Sequence, residues 1–444
     1  MKNIIIKKLS LLFMFLFFYV FPLKAEDVKL IDIKEIALNA FSEFSNRTHD
    51  ELKIIQIIPF IQNDTTAFYV VNFDKGFIII AADNISEPVL GFSLESQFNF
   101  NDLPPALLLL LEGYQQEILS AKKLNISASQ EIIHKWNDYL NLNYEKGTSG
   151  SQGRGVAPQT LSTYILGTNL VETKWGQSGG VGNDNIPFNF YCPNGTLVGC
   201  GGVALAQILR FWRCNVHPQG VVNYYPPGFP LIYINLAAQT YCWTCMLPDK
   251  ANYDNALFLY HCAAAIESEF GITGTTSYPY KVPGKLSQNF GFNGSIYYKS
   301  SYNDQNWIVL LKTDIDNRRP IFYSGQKTSG GGHGWVVDGY DSNNLFHCNW
   351  GWGGSSDGWY MLTNLTGNVG FTNNQSAVMN IYPTFYSGVT ISNTTISSGT
   401  YTGHTISVST CTIQNNANVI FKANCMTEIF GPFSVPVGAT LEIK

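Results

Sequence analysis

The segment Gly199–Trp212 restricts the fold more than any other part of the chain. Leu205, Ile208, Leu209 and Trp212 recur there at i, i+3, i+4 and i+7, the spacing of a helix with one buried face. Cys200 falls in the first turn, between Gly199 and Gly201-Gly202. At a helix start the unpaired amides and the macrodipole favour a thiolate, which is the nucleophilic form of the side chain. A cysteine taken alone is more often a small buried hydrophobe. The reading of Cys200 therefore depends on whether a base is held elsewhere.

Gly330-Gly331-Gly332-His333-Gly334-Trp335-Val336-Val337-Asp338-Gly339-Tyr340 supplies the candidate. A glycine hinge runs into an apolar strand that begins with a histidine. His333 lies 133 residues after Cys200, a separation that suits a papain-like Cys–His pair. Of the seven histidines, His217, His261 and His347 read as surface or core residues. A further strand, Asn344 to Asn349, ends on an amide able to orient an imidazole, and Trp350 follows it as a cover against water. Gln177, in Lys174-Trp175-Gly176-Gln177, is the natural side-chain donor to an oxyanion, with the Cys200 backbone N–H as the other donor.

The rest of the chain surrounds this core. Lys2, Lys7 and Lys8 precede a Leu/Phe-rich run ending at Ala25, which reads as a cleaved signal peptide over 1–25. Residues 26–150 form an α+β unit with its linker. Its elements are a helix near Ile33–Phe44, strands at Ala67–Phe73 and Phe77–Ala82 split by the turn Asp74-Lys75-Gly76, and a short strand Val89–Ser93. A helix opened by Pro104-Pro105 runs toward Lys122, and another covers about Gln130–Leu140. The stretch from Gly147 to Gln159 cannot bury apolar surface and is expected to be a protease-sensitive linker. Residues 385–444 alternate Ile and Val with Thr, Ser and Asn, so they should be all-β.

A formal charge of -5 over 444 residues gives no basic face for nucleic acid. No later run is apolar enough for a stable membrane span once the signal is removed. Nine cysteines leave at least one free thiol if the others pair. Cys242 and Cys245 form a lone Cys-x-x-Cys, better suited to a structural pair or a disulfide than to zinc.

These motifs resemble the streptopain family, a branch of the papain-like cysteine peptidases. The resemblance rests on Trp175-Gly176-Gln177, Tyr191-Cys192-Pro193, Gly199-Cys200, Ala206-Gln207-Ile208, Gly332-His333-Gly334-Trp335-Val336-Val337-Asp338-Gly339, Asn349-Trp350-Gly351-Trp352-Gly353-Gly354 and Asp357-Gly358-Trp359-Tyr360. The N-terminal unit, with Val70-Val71-Asn72-Phe73, Ile80-Ala81-Ala82-Asp83 and Pro88-Val89-Leu90-Gly91, is similar to that family's inhibitory pro-domain. The resemblance implies an α+β fold with a two-subdomain peptidase core over 151–384. It also implies nucleophile Cys200, base His333, oxyanion donor Gln177, and Asn349 with Trp350 supporting the base. No cofactor or metal is implied. The expected partners are protein or peptide substrates and the chain's own pro-domain. Two departures stand out. Gly201-Gly202 replaces an Ala-rich run and should loosen the first helical turn, and Ser277–Gly284 replaces a Gly/Ser-rich substrate loop. Two other readings remain at this point: a silent surface adhesin, which should lack a catalytic residue, and a hydrolase of cell-wall peptides, separable by comparing casein with peptidoglycan.

Overall fold

The computed structural model describes residues 27–141, 169–326, 331–366, 374–384 and 388–444; the expected signal segment and the linker 147–159 lie outside them. The N-terminal unit begins with α1 (Leu30–Ser45), whose Ile33, Ile36, Ala37, Ala40, Phe41 and Phe44 bury one face. Asn46 ends it in the left-handed region, its N–H returning to the Ser42 carbonyl. Four antiparallel strands follow: β1 (Ile54–Gln62), β2 (Thr65–Phe73), β3 (Phe77–Ala81) and β4 (Val89–Ser93). Phe41 stacks on Phe73, and Phe44 on Phe92, with ring centroids 4.1 Å apart in each pair. The expected turn between β2 and β3 is present. Gly76 sits there at φ 88°, where a Cβ would fall 2.3 Å from the Ser93 carbonyl oxygen, so only glycine fits. Helices α2 (Pro105–Lys123) and α3 (Gln130–Asn141) complete the unit.

The central region contains α4 (Cys200–Trp212), the ribbon β5 (Val221–Tyr224) with β6 (Ile232–Asn235), α5 (Tyr253–Ala265) and α6 (Val282–Phe290). Then come β7 (Ser295–Tyr298), α7 (Asp304–Asp316), β8 (Ile321–Gln326), β9 (Gly332–Tyr340), β10 (Leu345–Asn349), β11 (Gly358–Met361) and β12 (Asn374–Met379). One core lies under α4 and α5, built from residues such as Leu205, Ile208, Leu259 and Phe292. The other lies on the sheet, and it is shared between the two regions. Phe41, Phe77 and Leu107 belong to the same cluster as Trp335, Trp350 and Tyr360.

That sharing follows from the topology. Ten strands run in the order β1-β2-β3-β4-β11-β10-β9-β8-β12-β7. The junction is β4 against β11, with Phe92 opposite Trp359 and Gly91 opposite Tyr360. A Cβ on Gly91 would meet the Tyr360 ring at 2.6 Å. The N-terminal unit thus extends the sheet of the core as well as packing on it.

The C-terminal region is all-β, as its alternation predicts. Its strands are β13 (Gly388–Ser392), β14 (Thr395–Ile396), β15 (Gly399–Ile413), β16 (Asn418–Ser434) and β17 (Thr440–Ile443), and every pairing among them is parallel. Ile396, Ile406, Val408, Ile413, Val419 and Phe421 fill a small separate core. Arg318 joins this region to the central one: it lies 3.5 Å from the Glu428 carboxylate and 4.4 Å over the Phe430 ring. Among the described residues no helix is long and apolar enough to cross a membrane.

Candidate active site

The first turn of α4 is fixed by close approaches. Gly199, its N-cap, has φ 86°, and a Cβ there would lie 2.8 Å from Thr275. Gly201 and Gly202 do not loosen the turn as expected; both are buried. A Cβ on Gly201 would fall 2.0 Å from the Ser277 hydroxyl, and one on Gly202 2.7 Å from the Ala263 methyl. The glycines let α5 and the Ser277 loop close against the helix start.

Strand β9 arrives at the same point. The Gly334 N–H donates to the Cys200 sulfur at 3.3 Å, so His333 is the immediate neighbour of a residue bonded to the candidate nucleophile. His333 is half-buried and pairs across the sheet with Gly325 of β8. Burial pushes the Cys200 thiol up, while the backbone N–H groups of Gly334, Gly201 and Cys200 itself pull it down. Burial prevails. The amides anticipated from the helix start do act on the sulfur, and burial outweighs their pull.

Gln177 is half-buried, and its carbonyl accepts from the Val198 N–H at 3.0 Å, tying it to the segment that leads into Cys200. Asn349 is buried. Its Oδ1 accepts from Gln207 Nε2 at 2.9 Å and from the Gly351 N–H at 3.1 Å, while its Nδ2 donates to the Thr173 carbonyl at 2.7 Å. Gln207 Oε1 in turn accepts from the Trp175 N–H at 3.0 Å. These bonds anchor the chain leading to Gln177. Trp350 is also buried. Its indole donates to the Ser356 carbonyl at 2.9 Å, and its ring lies 5.3 Å from that of Trp335, which follows Gly334. It supports β9 from beneath.

Trp352, in the Asn349–Gly354 motif, carries no sequence signal of its own for a role here. It bridges to Gly176, beside Gln177, and its indole donates to Asp102 of the N-terminal unit at 3.1 Å. Other histidines go where the sequence suggested. His217 is exposed. His261 is buried against the Tyr241 hydroxyl at 2.8 Å, and burial lowers its pKa to about 4. For His347 burial pulls down, yet Asp338 at 2.6 Å outweighs it and holds the imidazole above its usual value.

The N-terminal unit covers this site. Leu109 of α2 packs on Gly325, the cross-strand partner of His333. Asp102 takes Trp352 and, through its carbonyl, the Ser355 hydroxyl at 3.2 Å. Glu95 pairs with Lys174. Behind the cleft, the Tyr114 hydroxyl lies 2.6 Å from the Met361 carbonyl and 3.1 Å from that of Leu90. One oxygen of the buried Glu117 accepts from the N–H groups of Leu365 and Thr366 at 2.7 and 2.9 Å. Cys192, Cys200, Cys262, Cys348 and Cys411 are free thiols, whereas Cys242 and Cys245 are joined in a disulfide. No group of three or more metal-ligating side chains occurs among the described residues.

Comparison with known proteins agrees with this arrangement. Residues 182–360 match the peptidase C10 family, and residues 34–118 match the Spi protease inhibitor family. Streptopain of Streptococcus pyogenes is 26% identical over 364 residues, covering 76% of this chain and 86% of that protein. The thiol protease/hemagglutinin PrtT of Porphyromonas gingivalis is 25% identical over 349 residues, 72% of this chain but 38% of that one. In fold, the chain resembles a fragment of Prevotella intermedia prointerpain A, with a TM-score of 0.55 and 23% identity over 74% of this chain and 98% of that fragment.

Proposed function

Because this chain belongs to the peptidase C10, or streptopain, family, and is a cysteine peptidase carried with its own inhibitory domain, we propose that Cys200 is its nucleophile and His333 its base. The observation that carries this reading is the Gly334 N–H bond to the Cys200 sulfur, which sets the start of β9 against the start of α4.

Cys200, as thiolate, attacks a peptide carbonyl, and protonated His333 gives its proton to the departing amine. Water deprotonated by the now neutral His333 then hydrolyses the thioester, and Cys200 leaves as thiolate again. Gln177 and the Cys200 N–H donate to the oxyanion. Asn349 and Trp350 act indirectly, the first by holding residues 173–175 and the second by supporting β9. The N-terminal unit silences the enzyme by occupying the cleft, with Asp102 and Leu109 as its contacts. Removing it takes the sulfur out of its covered setting and lowers the barrier to ionisation. Cleavage in or beside 147–159, near Lys146 or Arg154, releases it. Export through residues 1–25 brings the enzyme to its protein or peptide substrates outside the cytoplasm. The domain limits that go with this reading are 26–150, 151–384 and 385–444.

The test is Cys200→Ala in the full chain. The variant should fold, remain unprocessed and leave casein intact. A variant that still matures alone would contradict autocatalysis, and one that still cleaves casein would contradict the nucleophile.

A further inference from the structure

The Cys242–Cys245 disulfide plays no part in the chemistry above, yet it stands at the head of the loop that holds Gln177. Both cysteines are exposed. The flanking aromatic rings are fixed: Tyr241 and Trp243 lie 4.7 and 5.1 Å from Phe258 of α5. On the other side, the Cys245 carbonyl accepts from Asn252 Nδ2 at 2.7 Å. Asn252 caps α5 and exchanges bonds with the buried Asn255, whose amide donates to the carbonyls of Leu247 and Lys250 at 3.1 and 2.7 Å.

Residues 247–251, so held, bracket Gln177. Before it, the Leu247 carbonyl accepts from the Trp175 indole at 2.8 Å, and the Pro248 carbonyl accepts from the Lys174 N–H at 2.7 Å. After it, the Ala251 N–H donates to the Gly180 carbonyl at 2.7 Å, and Ala251 bridges to Val181. One loop therefore grips both flanks of the candidate oxyanion donor, and the disulfide closes the turn at that loop's origin.

We propose that Cys242–Cys245 is a thiol-exchangeable redox site that sets the order of the Gln177 segment, making the peptidase responsive to dithiols at a position other than its nucleophile. The regulatory half of this proposal rests on the role given above to Gln177. An exposed disulfide is open to thiolate attack. This one closes so short a loop that its loss adds little chain entropy and should not unfold the domain. The exchange balances. A dithiol's thiolate attacks one sulfur, the other leaves as a thiolate that takes up a proton, and the second thiol closes the reagent's own disulfide. Two electrons and two protons pass to the protein.

The test uses the full chain. In Cys200→Ala protein, which cannot process itself, hydrogen exchange at Trp175–Gln177 is compared before and after dithiothreitol treatment, with alkylation and mass mapping of Cys242 and Cys245. Reduction should proceed without denaturant and raise exchange there about fivefold or more, as expected for local loosening. Wild-type enzyme, assayed after processing in graded glutathione buffers and normalised to active sites with an epoxide inhibitor, should lose about threefold or more in kcat with little change in KM as the pair is reduced, as for a weakened oxyanion contact. The Cys242→Ser/Cys245→Ser variant should hold the reduced value in every buffer. A pair that resists reduction in the folded chain, or exchange that does not change on reduction, would overturn the proposal. Faster exchange with unchanged kcat would overturn its regulatory half, whereas a Gln177→Ala enzyme that keeps the oxidised wild-type kcat would overturn the oxyanion role of Gln177 instead.

Discussion

Leu109 of the pro-domain lies so close over Gly325 of the peptidase sheet that a Cβ on that glycine would be 3.1 Å from the leucine methyl. Gly325 is the residue paired with His333. Inhibitor and proposed base therefore flank a single strand position, with no side chain at Gly325 between them.

Leu109→Ala should weaken this cover. Truncating a buried leucine costs about 2–5 kcal/mol. If half of that falls on docking, self-processing should quicken by roughly tenfold, since about 1.4 kcal/mol is a factor of ten. The rate of appearance of processed enzyme measures it; an unchanged rate would remove Leu109 from the lid.

Docking should also depend on pH through Glu117. Burial raises its pKa from 4.5 to about 7, against the pull of the Thr366 and Leu365 amides, and its second oxygen is buried without a hydrogen-bond partner. The raised value means that the docked state holds the proton more tightly. This contribution is full below about pH 4.5, falls as pH rises through about 7, and is worth on the order of 3 kcal/mol. Processing should therefore quicken from pH 5 to pH 7.5, and Glu117→Gln should flatten that rise. Parallel profiles for the two proteins would exclude this carboxylate as the cause.

The first turn of α4 gives a third prediction. Gly201→Ala drives a methyl group into the Ser277 hydroxyl, and overpacking of this kind costs about 1–3 kcal/mol. Peptidase activity per folded molecule should fall, and Ser277→Gly in the same chain should restore part of it. Full activity in the single variant would mean that the Ser277 loop yields freely.

Asn349→Ala should act through Trp175. The lost bonds to Thr173 and Gln207 loosen the approach to Gln177, so kcat should fall by about tenfold or more, as for a misplaced oxyanion donor. The pH profile of kcat/KM should keep its shape. A shifted basic or acidic limb would instead restore the role suggested by the sequence, an amide that orients the imidazole.

Much of this was legible in the chain because the site is built from short segments with local signatures. The helix period placed Cys200, and the glycine hinge before an apolar run placed His333. What was not legible depends on partners far away in sequence. Asn349 reads as an imidazole support, and nothing local announces its bonds to Gln207 and Thr173. The edge pairing of Phe92 with Trp359 has no local signal, so the sequence shows a pro-domain packed over the cleft but not the sheet it shares with the core. Strand β1 has no clear sequence signal, because most of its residues are at least partly exposed and Pro59 lies within it, as an edge strand permits. The alternation near the C-terminus marks strands, but period two is the same for parallel and antiparallel pairing.

The central claim, a Cys200 thiol hidden by the pro-domain and reactive without it, is tested most directly by mapping the residue labelled by an epoxide thiol inhibitor before and after processing. The account predicts almost no label on the full-length chain and stoichiometric label on Cys200 alone after cleavage. Label on another cysteine, or equal labelling of Cys200 in both forms, would contradict it.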